Sequence, residues 1–574
     1  MDAVERTMVS WDGTELFYRA WLPNDKKPTR ALLLFHRGHE HSGRWQETVD
    51  SLGLEKVAVF AWDARGHGRS PGGRGAAREL TDVIKDVDAF VRHITEVFGI
   101  GYEEMIVLAH SLAAVTVGAW VHDYAPRLRG LILATAAFAV RLYVPLAIPA
   151  LRLQQKVSGG GQVKSYVRAK MLTHDAAEAA RYEADPLIFR QIAINLLLDL
   201  HDTGRRLVAD AGAIQVPTLM LAAGRDYVVS LKEQRRFFDR LSSPWKQMHV
   251  FPAMYHAMFH EQDRAQVVAR VREFVLERFA QPPPNGSLRE ADQYGHTWEE
   301  YERLKLRGGP QFLALRGALH LAGRFSKGIE LGWRSGFDSG RSLDYVYENS
   351  PQGSSRLGKL IDANYLNSIG WRGIRQRKMH LEITLRGAID KLEAERKAIR
   401  ILDVAAGAGR YVLETLRAFP DRPISAVLRD NQPDNVAAAR ALAEEFGLAG
   451  VTVEQADAFD RAGLAGFAPR ATIGIVSGLY ELFPANVAVL KSLGGLADAI
   501  EPGGFLIYTN QPWHPQLEFI ARVLRNREGK RWIMRRRSTA EIDELVRSAG
   551  FEKCEMEIDR WGMFTVSLAR RVTA

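Results

Sequence analysis

The sequence predicts an α/β protein of two doubly wound domains, the first with an inserted cap, joined by a helical, basic segment. Three observations predict it. Short apolar runs of strand length alternate with helical stretches twice, through residue 280 and again from residue 401. Apolar helical sequence interrupts the first alternation at about residues 137–210. The break Gln281-Pro282-Pro283-Pro284-Asn285-Gly286-Ser287 then separates the two alternations. A chain of 574 residues exceeds what one core supports. The expected division is therefore a domain over 1–280, a linker over 281–289, a helical connecting segment over 290–390 and a second domain over 391–574.

In order along the first domain, Asp12-Gly13 marks a hairpin, and strands are expected over 31–35, 57–62, 106–109 and 131–134. After the cap, strands resume over 218–222 and 247–251, and a helix follows Asp263. Residues 290–390 place Phe312, Leu315, Leu319 and Ala322 on one helical face, with Arg316, Arg324 and Lys327 among them. That pattern suits a helix packed on a neighbour, with a membrane-surface helix as the alternative. The second domain reads as strands over 401–404, 424–428, 451–455, 471–476 and 504–509, closed by two more over 555–559 and 564–569.

Composition narrows the function classes. With 46% hydrophobic and 25% charged residues and 23 prolines, the chain is that of a soluble folded protein. A single cysteine, Cys554, excludes an internal disulfide and a cysteine metal cluster. Residues 1–13 lack a basic segment followed by an apolar run, so the expected location is cytoplasmic. The apolar stretch 138–151 is interrupted by Arg141 and two prolines and is too short to span a bilayer. A net charge of +9 is compatible with peripheral contact at the inner face of an anionic membrane or with nucleic acid. The oligomeric state is left open.

Two sets of residues carry chemistry. In the first domain a strand runs into His110-Ser111-Leu112-Ala113-Ala114 and a helix, while Asp226 and His256 each follow a later strand. A serine hydroxyl needs an imidazole to take its proton, and the imidazole needs a carboxylate to hold its tautomer. Ser111, His256 and Asp226 fill these roles. The small residues Ala109 and Ala113 flank the turn where G-x-S-x-G has glycines. Leu112 N–H and Gly38 N–H are the expected oxyanion donors. His36, His39, His41, His67 and His110 lie in the loops of these motifs without metal-ligand spacing, so no metal is expected.

These loops resemble those of monoacylglycerol lipases and related lysophospholipases of the α/β-hydrolase fold. His36-Arg37-Gly38-His39-Glu40-His41-Ser42-Gly43-Arg44-Trp45 is similar to that family's H-G-x-x-E-H-S-x-R-[YW] loop, and Asp63-Ala64-Arg65-Gly66-His67-Gly68-Arg69-Ser70 to its D-x-R-G-H-G-x-S loop. Asp185-Pro186-Leu187 is similar to the tripeptide that closes its cap, and Gly224-Arg225-Asp226 and Tyr255-His256 fall where its acid and base lie. The resemblance covers about residues 8–280. It implies a serine esterase acting on a lipid-like acyl ester, for which Tyr143, Val144, Leu146 and Ile148 of the cap would supply either an apolar wall or ordinary core. Arg37 in place of a glycine, with alanines beside the nucleophile, supports the alternative of a hydrolase fold kept for binding.

In the second domain, Ile401-Leu402-Asp403-Val404-Ala405-Ala406-Gly407-Ala408-Gly409-Arg410 is a strand, a glycine turn and a helix start, where a nucleotide cofactor's tail would lie. A dinucleotide motif needs a third glycine where Val412 stands, which disfavours NAD. Asp430 and Asp457 follow the next two strands, so the three acids align at the strands' carboxyl ends. The stretch from Asp403 resembles motif I of class I methyltransferases, D/E-x-G-x-G-x-G, with Ala405 in place of the first glycine; the resemblance covers about residues 360–574. It implies S-adenosylmethionine as cofactor, with Asp430 at the ribose, Asp457 and Ala458 at the adenine, and Asp403 with Gly407 and Gly409 at the amino-acid end.

The methyl acceptor is left open, with Tyr480, His514, Tyr365 and Arg375 as candidates. Ser477-Gly478-Leu479-Tyr480-Glu481 stands where amino-nitrogen methyltransferases often carry [ND]-P-P-[YFW], which argues against nucleic acid as partner. Arg525, Arg527, Lys530, Arg531, Arg535, Arg536 and Arg537, with Trp532, read as a solvated helix face. The expected protein is thus a bifunctional esterase and methyltransferase working on one lipid pathway. A methyltransferase with a binding module, and an RNA methyltransferase fused to an esterase, are the alternatives.

Overall fold

A computed structural model describes residues 2–23, 27–283 and 286–572, so Pro284 and Asn285 of the expected linker lie outside the described residues. The chain divides into two compact units, Met1–Gly286 and Ser287–Ala574.

The first unit holds strands β1 (Val4–Val9), β2 (Glu15–Trp21), β3 (Ala31–Phe35), β4 (Ala58–Trp62), β5 (Met105–His110) and β6 (Gly130–Ala134). It continues with β7 (Gln162–Lys164), β8 (Gln191–Ala193), β9 (Thr218–Ala223) and β10 (Lys246–Phe251). Eight of these form one sheet in the order β1-β2-β4-β3-β5-β6-β9-β10, parallel from β4 to β10. The central strands are continuous apolar runs because helices cover both faces. Alternate side chains feed two cores: Leu33, Phe35, Val107 and Ala109 enter one, and Leu32, Leu34, Ile106 and Leu108 the other.

The cap is inserted between β6 and β9 and contains the antiparallel pair β7-β8. Of its apolar stretch Phe138 joins the core and Val140 packs against it, while most of the rest is not core. Tyr143, Val144 and Leu146 are 59%, 68% and 78% exposed, and the helix Ala147–Ser158 buries no residue.

The second unit contains β11 (Ile399–Val404), β12 (Ile424–Asp430), β13 (Val451–Gln455), β14 (Ala471–Val476), β15 (Ile500–Asn510), β16 (Phe551–Ile558) and β17 (Thr565–Arg571). They form one sheet in the order β13-β12-β11-β14-β15-β17-β16, parallel except at the β15-β17 and β17-β16 pairs. The order reverses between β11 and β14, which opens a crevice at the carboxyl ends of the strands.

Helices from His296–Lys305 to Ile369–Ala394 precede this sheet and belong to the same unit. Tyr345, Val346 and Trp371 from these helices, with Phe337 from a turn between two of them, share a core with Ile520, Leu524, Met534 and Phe564 from beyond β15, a long-range pairing that no local pattern announces.

The basic cluster is not the expected helix, and only part of it is solvated: Arg525, Arg527 and Lys530 are exposed, whereas the three arginines that follow Met534 are not. Residues 524–538 are largely non-helical, and Arg535, Arg536 and Arg537 are 1%, 2% and 1% exposed. Each is buried because it has partners. Arg535 pairs with Glu541 at 2.7 Å and donates to Ala291 O at 2.6 Å. Arg536 pairs with Glu300 and donates to Pro512 O. Arg537 donates to Tyr480 O and Phe483 O, which ties down the loop after β14.

Candidate functional sites

At the end of β5 the chain turns sharply into helix Leu112–Tyr124, with Ser111 at φ 60°, ψ −113°. Such a backbone costs a non-glycine residue about 1–3 kcal/mol and is found where a side chain must be presented. Ala109 and Ala113, only 0% and 5% exposed, let the neighbouring strands and helix close around the turn as glycines would. His256 Nε2 lies 2.7 Å from Ser111 Oγ, and His256 Nδ1 lies 2.8 Å from Asp226 Oδ2. Asp226 Oδ1 accepts the amides of Val228 and Val229 at 2.7 and 2.9 Å. Burial alone would raise the Asp226 pKa, but the charge and hydrogen bond of His256 and the two amides outweigh it, and the carboxyl is held below its usual range.

The loop after β3 brings Gly38 against Leu112: a Cβ at Gly38 would be 3.4 Å from Leu112 Cδ1. The Leu112 amide opens its helix, where N–H groups have no intrahelical acceptor. Arg37, which stands in a glycine position, turns aside into a buried pair with Glu40 at 2.7 Å and lies over Tyr182. The histidines of these loops serve as struts. His110 Nε2 and Thr135 Oγ1 both bond the carbonyl of His256, at 3.1 and 3.2 Å. His36 Nε2 accepts the Ala64 amide at 3.0 Å, and His41 Nε2 bonds Asp185 of the cap at 2.9 Å. No group of three or more His, Cys, Asp or Glu poised to hold a metal occurs among the described residues. A small cavity of about 40 Å³ runs beside Gly38, Leu112, Thr116 and Val117.

In the second unit a cleft of about 440 Å³ lies over the carboxyl ends of the strands, walled by residues 405–411, Asp430, Asp457, Ala458 and Gly478. Ala405, Gly407 and Gly409 all have positive φ, at 56°, 61° and 64°. A Cβ on Gly407 would meet no atom within 4 Å, so the position faces open space, whereas one on Gly409 would strike Leu428 Cδ1 at 2.5 Å. Asp430, at the end of β12, accepts Gly407 N–H at 2.9 Å and Gln432 N–H at 2.9 Å. Asp457 is exposed and caps the Phe459 amide at 2.9 Å. A glycine cradle with an acid at its rim fits a nucleoside-bearing cofactor.

Asp403 is placed differently from its two companions. It is fully buried beneath the turn, off the wall of the cleft, and accepts the Tyr411 hydroxyl at 2.7 Å. Burial pushes its carboxyl well above the usual range.

Sequence reasoning missed the wall contributed from upstream. Asp338, Leu343, Asp344 and Tyr347 line the cleft, and Asp344 holds Arg410 at 2.5 and 2.9 Å. Arg377 also lines it. Of the acceptor candidates, Tyr365 and His514 line a neighbouring cavity. Tyr480 is buried in the core with its hydroxyl on Ser492, and Arg375 donates to Leu366 O.

Fold and geometry together define a chain carrying an α/β-hydrolase domain and a methyltransferase-type domain. It belongs to the family described as "Putative methyltransferase", which matches residues 271–571, and its N-terminal half matches the family described as "Serine aminopeptidase, S33" over residues 26–263. Among relatives, the protein of Escherichia coli (strain K12) called "Uncharacterized protein YnbC" is 48% identical over 99% of this chain and 98% of its own length. A monoacylglycerol lipase of Mycolicibacterium smegmatis is 26% identical over 47% of this chain and 96% of its own, and the Homo sapiens monoglyceride lipase 27% identical over 44% and 84%.

Proposed function

We propose that this chain is a bifunctional enzyme: a serine hydrolase that cleaves a lipid-like acyl ester of the monoacylglycerol or lysophospholipid class, and an S-adenosylmethionine-dependent methyltransferase. The observation that carries the first half is the continuous line from Ser111 Oγ through His256 to Asp226. His256 Nε2 takes the serine proton, Asp226 holds Nδ1–H and steadies the cation, and the Gly38 and Leu112 amides receive the oxyanion. The names of the lipase relatives support the ester class. The exposed apolar residues of the cap support peripheral contact with a membrane, while no helix among the described residues is long and apolar enough to cross one.

For the second half, Gly407, Gly409 and Ala405 form the cradle, Asp430 stands at the ribose position, and Asp457 with Ala458 at the adenine position. Asp403 acts as a buried support for the turn. When bound, the cofactor supplies an electrophilic methyl group.

The test has two arms. A fluorophosphonate probe labels the wild type at Ser111, and Ser111→Ala abolishes labelling and lowers monoacylglycerol hydrolysis by a factor on the order of 10⁴–10⁶. Absence of labelling in folded protein would favour the binding-module reading, for which the substitution at Arg37 is the motive. By calorimetry, S-adenosylmethionine binds the wild type, and Asp430→Ala weakens it at least tenfold; unchanged affinity means that the acid is not at the ribose.

A further inference from the structure

Beside the cofactor cleft lies a second cavity of about 400 Å³, within the size range of small-molecule sites. The two share Asp338, Leu343, Arg377, Gly478, Leu482 and Trp532 as walls, so they adjoin. Most of the second cavity is apolar, with Trp371, Ile374, Leu524, Met534 and Phe564 in its lining. Its rim includes Leu319 and Ala322 of helix Pro310–Ala322, which buries no residue and leaves Leu313, Leu315 and Leu321 70%, 46% and 56% exposed. An apolar approach thus leads into an apolar chamber.

Three nitrogens of residues lining this chamber share one property. Gln511 Nε2, Trp532 Nε1 and Arg377 Nε are buried N–H donors for which the protein provides no acceptor, and the Gln511 and Arg377 residues are each only 3% exposed. His514 adds a fourth donor. Its Nδ1 accepts the Gln516 amide at 3.1 Å, which leaves the proton of the neutral ring on Nε2. A Cβ at Gly370 would come within 3.1 Å of that nitrogen, so the glycine keeps it open. A buried donor left unmet costs about 1–3 kcal/mol, and several on one wall call for a ligand that brings acceptors.

The two carboxylates on the same wall are paired with arginines. Asp338 accepts from Arg527 N at 2.6 Å and Nε at 3.3 Å, and Glu481 stands 3.6 Å from Arg377. An alcohol or amine acceptor would have to surrender a proton, and both carboxylates on this wall are already charge-paired, Asp338 with Arg527 and Glu481 with Arg377. A carboxylic acid is already deprotonated near neutral pH.

We infer that this cavity binds an aliphatic carboxylic acid, its carboxylate turned toward Arg377, Gln511, His514 and Trp532, and that this carboxylate is the group methylated. The inference rests on the proposed methyl-transfer function. In the step, a carboxylate oxygen bonds to the methyl carbon as the carbon–sulfur bond of the sulfonium donor breaks and the pair leaves on sulfur. Anion and cation cancel, giving a methyl ester and a neutral thioether, and no proton moves. The acid required is of the class released by ester hydrolysis in the first unit.

The test uses the full chain with dodecanoate and 1-dodecanol as probes, read first by intrinsic tryptophan fluorescence without cofactor. Dodecanoate binds at least tenfold more tightly than dodecanol. Trp532→Phe, which keeps the ring and loses the N–H, and Gln511→Leu each weaken dodecanoate three- to tenfold, and Gln511→Leu, which lies off the cofactor cleft, leaves S-adenosylmethionine affinity unchanged. With S-adenosylmethionine, methyl dodecanoate accumulates by mass spectrometry. If the cofactor binds but dodecanol binds as well as the acid, or an alcohol or amine of the same chain is methylated in its place, the inference is overturned and the methyltransferase reading survives. If the cofactor does not bind at all, the reading beneath it has failed.

Discussion

Two residues show how a single position can depart from a motif and still perform its part. Ala405 stands where motif I has its first glycine and adopts φ 56°, a left-handed conformation that costs an alanine about 1–2 kcal/mol; the turn it forms still carries Gly407 and Gly409 into place. Arg37 likewise replaces a glycine, and its charge is absorbed by Glu40. At His514 the environment sets a pH dependence. Burial lowers its pKa to about 4, whereas the unfolded chain titrates near 6.5. Between these values the unfolded state binds the proton that the folded ring refuses, so stability falls as pH drops from 6.5 toward 4, by up to about 3 kcal/mol. Urea midpoints of wild type and His514→Phe at pH 7, 5.5 and 4 check this. The variant should lose less stability on acidification; identical slopes would refute the assignment.

At the scale of elements, the segment preceding helix Thr539–Ser548 is the instructive one. Three consecutive arginines would ordinarily mean solvent, yet here they are internal ties among the loop after β14, the helix His296–Lys305 and Glu541. Removing one partner of a buried pair leaves the other charge stranded, at a cost of about 3–5 kcal/mol. Arg535→Met should therefore lower the thermal midpoint of the unit by roughly 6–10 °C in differential scanning fluorimetry. A shift under 2 °C would show that Glu541 finds another partner.

For the whole molecule, the two proposed chemistries meet in one compound class: the first releases a carboxylic acid and the second consumes one. Given a dodecanoyl glycerol and S-adenosylmethionine, the wild type should form methyl dodecanoate, Ser111→Ala should form less than 1% as much, and free dodecanoate should restore the product in that variant. Failure of free acid to restore it would separate the two activities.

The central strands and the order Ser111, Asp226, His256 were legible because each depends on local signals: apolar runs of strand length, small residues at a tight turn, and an acid or base at a strand's end. Ser111, Asp226 and His256 meet as those signals implied. Asp430, Asp457 and Ala458 open on the cleft, whereas Asp403 does not.

What only the tertiary structure decided was the company that residues keep across long separations. The helices before β11 share a core with residues around Leu524 and Phe564, and they supply Asp344 and Arg377 to the cleft. Arg535, Arg536 and Arg537 go inside because acceptors in distant segments await them. Periodicity reports which face of an element is apolar. Only packing determines which partner covers that face, and so which charges are buried and which donors are left without an acceptor.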